Sequence, residues 1–245
     1  MRQIGFMLLA TVMLLGLSSA AQGAFPIGDP TAANGWDTTS AVSVNVSQPG
    51  YGGREWIYTI NGAGLDAATG TLHNGGAPHG FMGISSGAAN PRGGTINDGT
   101  YGDRWIEYSF DQVYPLAQMD IWAYNENANY YWASMTVKDV MIEISTTGGT
   151  DPSEWTTVTA MTLGHSAFET EGIPVTNSID FGGADAKYVV ITLINGSEGT
   201  YTKGNTGVDS PDFGLSEVRF FAVPEPATMT LLGLAGLLGL KRRRA

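Results

Sequence analysis

Val137-Lys-Asp-Val-Met-Ile-Glu-Ile-Ser145 decides the fold class. Val140, Ile142 and Ile144 fall on one side of an extended chain; Met141, Glu143 and Ser145 fall on the other. A period of two with β-branched residues on its apolar side marks a strand with one face in a core. The same reading extends outward in both directions. Ala41–Ser47 alternates apolar and polar residues, and Arg54–Ile60 is aromatic and β-branched. Further strands are expected at Arg104–Phe110, Leu116–Ala123, Trp155–Ala160, Lys187–Ile194 and Gly214–Phe221. No internal repeat and no convincing amphipathic helix interrupts them. About eight strands separated by turn residues predict an all-β fold, a jelly-roll β-sandwich forming one domain. Between Asn61 and Gly102 runs a Gly/Asn-rich stretch without sustained periodicity, and loops of that length in compact domains are often functional.

Composition agrees with many tight turns and few long charged side chains. The chain has 34 glycines in 245 residues and only 14% charged residues, against a usual ~25%. It has no cysteine, which excludes disulfides, thiolate metal sites and a cysteine nucleophile. With 12 basic against 23 acidic residues, the net charge of −11 argues against nucleic acid as a partner.

Both ends carry addressing signals. Residues 1–24 read as a signal peptide: Arg2, an apolar run from Ile4 to Leu17, then small residues from Ser18 to Ala24. The run is too short for a comfortable membrane span, which disfavours the rival reading of an anchor. At the other end, residues 223–245 hold Val223-Pro-Glu-Pro226, an apolar run from Ala227 to Leu240, and Lys241-Arg-Arg-Arg-Ala245. Pro224 and Pro226 around Glu225 keep the backbone extended for a processing enzyme. Arg242, Arg243 and Arg244 would hold the end of a short hydrophobic helix at the cytoplasmic face. The three parts together resemble the PEP-CTERM sorting signal. The resemblance implies a sorting helix in the membrane before processing, an exosortase as partner, and export across the inner membrane of a Gram-negative bacterium. The destination it implies is the cell envelope, cell surface or extracellular matrix. Without the two ends, residues 25–222 keep 7 basic against 22 acidic residues, near −15.

The body resembles a second family. Asn61-Gly-Ala-Gly-Leu-Asp66, Trp105-Ile-Glu-Tyr-Ser-Phe-Asp111 and Met119-Asp-Ile-Trp-Ala-Tyr-Asn125 come first in the order of a discoidin-type (coagulation-factor C-type) domain. Val137–Ser145, Asp180-Phe-Gly-Gly-Ala-Asp-Ala-Lys-Tyr-Val-Val-Ile-Thr192 and Gly214-Leu-Ser-Glu-Val-Arg-Phe-Phe221 complete it. The family is galactose-binding-like and usually non-catalytic, and it binds sugars, lipids or proteins through loops at one end of a jelly roll.

That resemblance implies a structural calcium held by Asp66, by carbonyls around Asn61 to Leu65, and by Glu217. The bland alternative has Glu217 pointing outward from an edge strand and Asp66 capping a turn. A sugar site is expected on Asn125-Glu-Asn-Ala-Asn-Tyr-Tyr-Trp132, where Tyr130, Tyr131 and Trp132 stand beside Asn125 and other polar groups. Arg92, Arg104, Asn74 and His79 are further candidates for reading hydroxyls. Trp105, Trp122 and Trp155 lie in or beside strands and are expected in the core. The three histidines, His73, His79 and His165, match no metal motif, and no catalytic motif is present. Carboxylate pairs such as Glu169/Glu171 and Asp209/Asp212 are expected by chance in so acidic a chain. The expected function is an exported, non-catalytic surface or matrix protein of biofilm type that binds polysaccharide or another glycan. The alternatives are a structural or adhesion protein without a sugar site and, third, a glycan-active enzyme with a carboxylate pair in one cleft.

Overall fold

The structure, a computed structural model, describes residues 24–28, 38–47, 55–65, 72–73, 80–82, 89–93, 104–124, 137–164, 173–195 and 213–224. Pro26–Ala222 forms a compact unit. Its strands are β1 (Phe25–Pro26), β2 (Val42–Val46), β3 (Leu72–His73), β4 (Gly80–Met82) and β5 (Trp105–Ala123). They continue with β6 (Asp139–Ser145), β7 (Thr156–Thr162), β8 (Ile173–Pro174), β9 (Asn177–Leu193) and β10 (Phe213–Ala222). Every strand pairing whose register is resolved is antiparallel.

Two long strands make the sandwich. β5 and β9 pair along their length, from Trp105↔Thr192 to Ile121↔Asn177, with register shifts between Ser109 and Tyr114 and between Leu116 and Gln118. Such irregularities bend a strand, and here they let both strands pass from one layer to the other. Their Trp105–Ser109 and Tyr188–Thr192 halves join β2, β6 and β7; their other halves join β10. The layers meet through rings. Phe220 of β10 packs edge-on against Tyr108 and Phe110 of β5, with centroids 5.2 and 5.0 Å apart. Val140, Ile142 and Ile144 are buried in this core, as their period of two requires.

Three sequence expectations change. Arg104–Phe110 and Leu116–Ala123 are parts of one strand that turns a corner between them. Lys187–Ile194 is only the second half of β9, because Gly182 and Gly183, both at positive φ, turn a corner rather than end a strand. Arg54–Ile60 contains a 3₁₀ turn at Trp56–Thr59, not a strand. Its two buried residues, Trp56 and Thr59, are three apart, and the Thr59 hydroxyl donates to the Trp56 carbonyl at 2.7 Å. That is a period of three, which fits a 3₁₀ turn.

The outer face of the β2–β5–β9–β6–β7 layer follows from register. One row across it reads Asn45, Glu107, Val190, Glu143 and Thr157. Trp105, Trp155 and Val190 form a small second core on this face, with Tyr188 against it. Glu107 lies in the same row, and burial pushes its carboxyl above the usual range against hydrogen bonds from Ser109 and Asn45.

Two outcomes follow. Phe220→Ala should lower the unfolding free energy by about 3–5 kcal/mol in denaturant titrations, because it empties the ring contact between layers; a loss below ~1 kcal/mol would contradict that packing. Glu107 has a raised native pKa, so the folded state is penalised once pH exceeds the ordinary glutamate value, and the penalty is complete above the native pKa. Glu107→Gln should therefore raise the melting temperature at neutral pH and leave it unchanged near pH 3. An equal effect at both would remove ionisation as the cause.

Candidate binding site at the loop end of the sandwich

The corner in β5 and β9 gathers strand ends at one end of the sandwich. The start of β5, the start of β6 and the end of β9 adjoin through Trp105↔Thr192 and Val140↔Leu193. The end of β5 adjoins the starts of β9 and β10 through Ile121↔Asn177 and Ala123↔Leu215. Connections 125–136 and 196–212 therefore leave from this end, and connection 94–103, which departs from Gly93 beside Thr150, returns to it at Arg104.

Short polar side chains lock the rim beneath these connections. Asp139 Oδ1 accepts from the Thr162 hydroxyl at 2.7 Å, and Oδ2 accepts from Asn195 Nδ2 at 3.2 Å with Lys138 Nζ at 3.7 Å. Asn195 sits in the left-handed region at φ 66°, a conformation asparagine tolerates better than most residues. Its neighbour Ile194 donates its backbone N–H to the Asp139 carbonyl at 2.9 Å. On the other layer the Thr176 hydroxyl donates to the Ile121 carbonyl at 2.8 Å and accepts from the Ala123 N–H at 3.0 Å. Asn177 Oδ1 takes the Gly164 N–H at 2.9 Å. A backbone clamped on both layers suits a rigid base for variable loops. The sequence reading missed Asp139, Thr176, Asn177 and Asn195. Their signal was the placement of short polar residues at strand ends, where side chains bond backbone groups.

Of the expected ligand-reading residues, Asn125, Tyr130, Tyr131, Trp132, Asn74 and His79 lie outside the described residues. Arg104 does not fit the expectation of a presented guanidinium. It is wholly buried, and its backbone carbonyl accepts the Leu193 N–H at 2.8 Å. Arg92 is likewise engaged in the fold: its Nε lies 2.6 Å from Glu143 Oε2, a carboxylate side chain only 3% exposed. Its loop is held down by Asn90, whose Nδ2 donates to the buried Thr192 hydroxyl at 3.0 Å. Trp105, Trp122 and Trp155 are buried as expected.

The expected calcium ligands meet in part. Glu217 is wholly buried, and Gly62 donates its N–H to Glu217 Oε1 at 3.2 Å across 155 residues. β10 lies between β5 and β1, so the reading of Glu217 as an outward residue on an edge strand fails. Asn61 Oδ1 accepts the Ala63 N–H at 3.0 Å, holding its own turn. On the far side of that turn, a Cβ on Gly64 would collide with the buried His73 ring, so only glycine fits there. The Glu217 charge also reaches Tyr108, whose phenol burial pushes far above its usual range; a hydrogen bond with Thr59 opposes this and Glu217 adds to it. Asp66 lies outside the described residues. Among the described residues no group of three or more His, Cys, Asp or Glu is placed to hold a metal, and no helix is long and apolar enough to cross a membrane.

Comparison with known proteins identifies the C-terminus and finds structural likenesses for the body. No curated protein matches the chain. A family 32 carbohydrate-binding module from C. perfringens NanJ, solved with galactose, is 12% identical, with a TM-score of 0.44, covering 81% of this chain and 99% of its own. CBM32-3 of a family 31 glycoside hydrolase from Clostridium perfringens is 17% identical, with a TM-score of 0.44, and the coverages are 76% and 93%. Chitosan-binding module 1 from a Paenibacillus chitosanase/glucanase is 18% identical, with a TM-score of 0.39, and the coverages are 74% and 94%. The sandwich assignment itself rests on the register and ring contacts above. Residues 222–245 match the PEP-CTERM protein-sorting motif, and the chain carries that motif at its C-terminus.

Proposed function

We propose that the chain is an exported, non-catalytic surface protein of a Gram-negative bacterium whose sandwich binds carbohydrate at its loop end. The observation that carries the reading is the sorting motif at residues 222–245, which supports processing by an exosortase and an address in the envelope, at the surface or in the matrix. In this reading residues 1–24 are the signal peptide, 25–222 the working domain and 223–245 the sorting signal, with its helix in the membrane until cleavage.

The ligand is argued from chemistry at the locked rim. A sugar ring offers a C–H face to an aromatic side chain and hydroxyls to planar polar groups. Connection 125–136 carries Tyr130, Tyr131 and Trp132 a few residues after Asn125 in sequence, and His79 is a further candidate polar reader. Calcium held by Glu217, Asn61 and Asp66 would act as a structural tie between the turn and β10, in keeping with the Glu217–Gly62 bond. A second reading, a structural matrix or adhesion protein with no sugar site, is favoured by one fact: Arg92 and Arg104 are both taken into the fold.

A glycan array with the exported chain in calcium should give selective binding, and Trp132→Ala should weaken it about tenfold or more, ~1.4 kcal/mol. Binding to no glycan would leave the structural reading, and turnover of polysaccharide would replace both with catalysis. Chelator should lower the melting temperature of the wild-type protein more than that of Glu217→Gln. Equal responses would remove Glu217 from any calcium site.

A further inference from the structure

The strand order of the β2–β5–β9–β6–β7 layer leaves β7 at an edge, with no strand on its outer side among the described residues. β7 is Thr-Thr-Val-Thr-Ala-Met-Thr, seven residues without a charge, a proline or a glycine, in an otherwise acidic chain. Thr156, Thr157, Ala160 and Thr162 are exposed. Exposed edges normally carry a guard such as a charge, a proline or a bulge that twists the edge away, because their free backbone groups template pairing. Of these guards β7 carries only a one-residue bulge at Val158, opposite Ile142/Glu143, and neither charge nor proline. The opposite edge of the layer contrasts with it. In β2, Asn45 Oδ1 accepts the N–H of Val46 at 3.0 Å, so that edge occupies an amide with its own side chain. Among the described residues no side chain bonds a β7 backbone group in this way.

We propose that β7 is a self-association edge, through which two copies of this chain pair antiparallel about a two-fold axis near the middle of the strand. Like copies of an acidic protein repel, and β7 is a stretch where two surfaces meet without charge. Direction follows from the flanks. Exposed Asp151 and Glu154 precede β7, while its far end lies beside Lys138, whose carbonyl accepts the Leu163 N–H at 2.7 Å and whose ammonium pairs with Asp139. An antiparallel pair sets the acidic entry of each copy beside the Lys138/Asp139 end of the other. A parallel pair would bring four carboxylates together. The surface buried is small, so the pair is reversible in dilute solution and strengthens with salt as the like charges are screened.

The absence of cysteine makes the test clean. Single cysteines are placed in the full chain at Thr157, Ala160 and Thr162, which register puts on the outer face opposite Glu143, Met141 and Asp139, with exposed Asp185 on β9 as control. A two-fold antiparallel pair makes Ala160→Cys meet its own copy within disulfide reach and carries the other two apart. Disulfide dimer at Ala160→Cys should exceed the Asp185→Cys control several-fold and fall off toward both strand ends. Wild-type protein should sediment as a monomer–dimer mixture whose dimer fraction rises with salt. Equal cross-linking at all three β7 positions means parallel pairing and overturns the proposal. Cross-linking no greater than the control with a monomeric wild type overturns it too, and leaves the edge to some other partner.

Discussion

Everything in this sandwich depends on β5 and β9 belonging to both layers at once. Because they pair from Trp105↔Thr192 to Ile121↔Asn177, a slip of one residue in either would turn Ile106, Tyr108, Val189 and Ile191 out of the core. The corner near Phe110–Leu116 and Gly182–Gly183 folds the pair back on itself, and that fold-back brings Phe220 against Tyr108 and Phe110. The same geometry delivers the ends of β5 and β9 to one rim. The loop end is thus a consequence of the core, not a separate feature added to it.

Several of the polar groups buried inside this frame tie one element to another. The Tyr108 hydroxyl donates to Thr59 at 3.2 Å, and Thr59 donates onward to Trp56, so the 3₁₀ turn is tied to the first layer. Glu217 ties the following turn to the second layer through Gly62. A buried carboxylate costs several kcal/mol unless hydrogen bonds or ions compensate it, and the N–H of Gly62 supplies one such bond. On the outer face Arg92 compensates Glu143, while Glu107 has hydroxyl and amide partners and keeps a raised pKa. Two glutamates in one row therefore differ in whether a cation faces them.

Much of the fold was legible because burial imposes periodicity. Val140, Ile142 and Ile144, the aromatic run from Trp105 to Phe110, and Leu215, Val218 and Phe220 are in the core where alternation or apolar density put them. Two features misled the reading for physical reasons. Gly182-Gly183 has the composition of a strand-ending turn, but its positive φ values turn a corner within a continuing ladder. Arg54–Ile60 has β-forming residues, but within it Trp56–Thr59 is a 3₁₀ turn whose buried residues lie three apart. Of the site, Glu217 and the turn after Asn61 were singled out through family resemblance as calcium ligands, and the structure joins them by the Gly62 N–H. The capture of Arg92 and Arg104 by the fold was not legible, since no local pattern tells a buried arginine from a presented one. The rim of Asp139, Thr176, Asn177 and Asn195 was missed for a similar reason: its bonds join residues up to 56 positions apart.

The proposed carbohydrate site places the working surface at the rim-locked end of the sandwich, and not at its corner end or on its faces. Hydrogen exchange of the exported chain with and without a bound polysaccharide addresses this directly. The account predicts slowed exchange in the 125–136 and 196–212 connections and no change at Asp111–Tyr114 or Gly182–Asp185. Protection at the corner, or on the outer face of the β2–β7 layer with the loop connections unchanged, would contradict it.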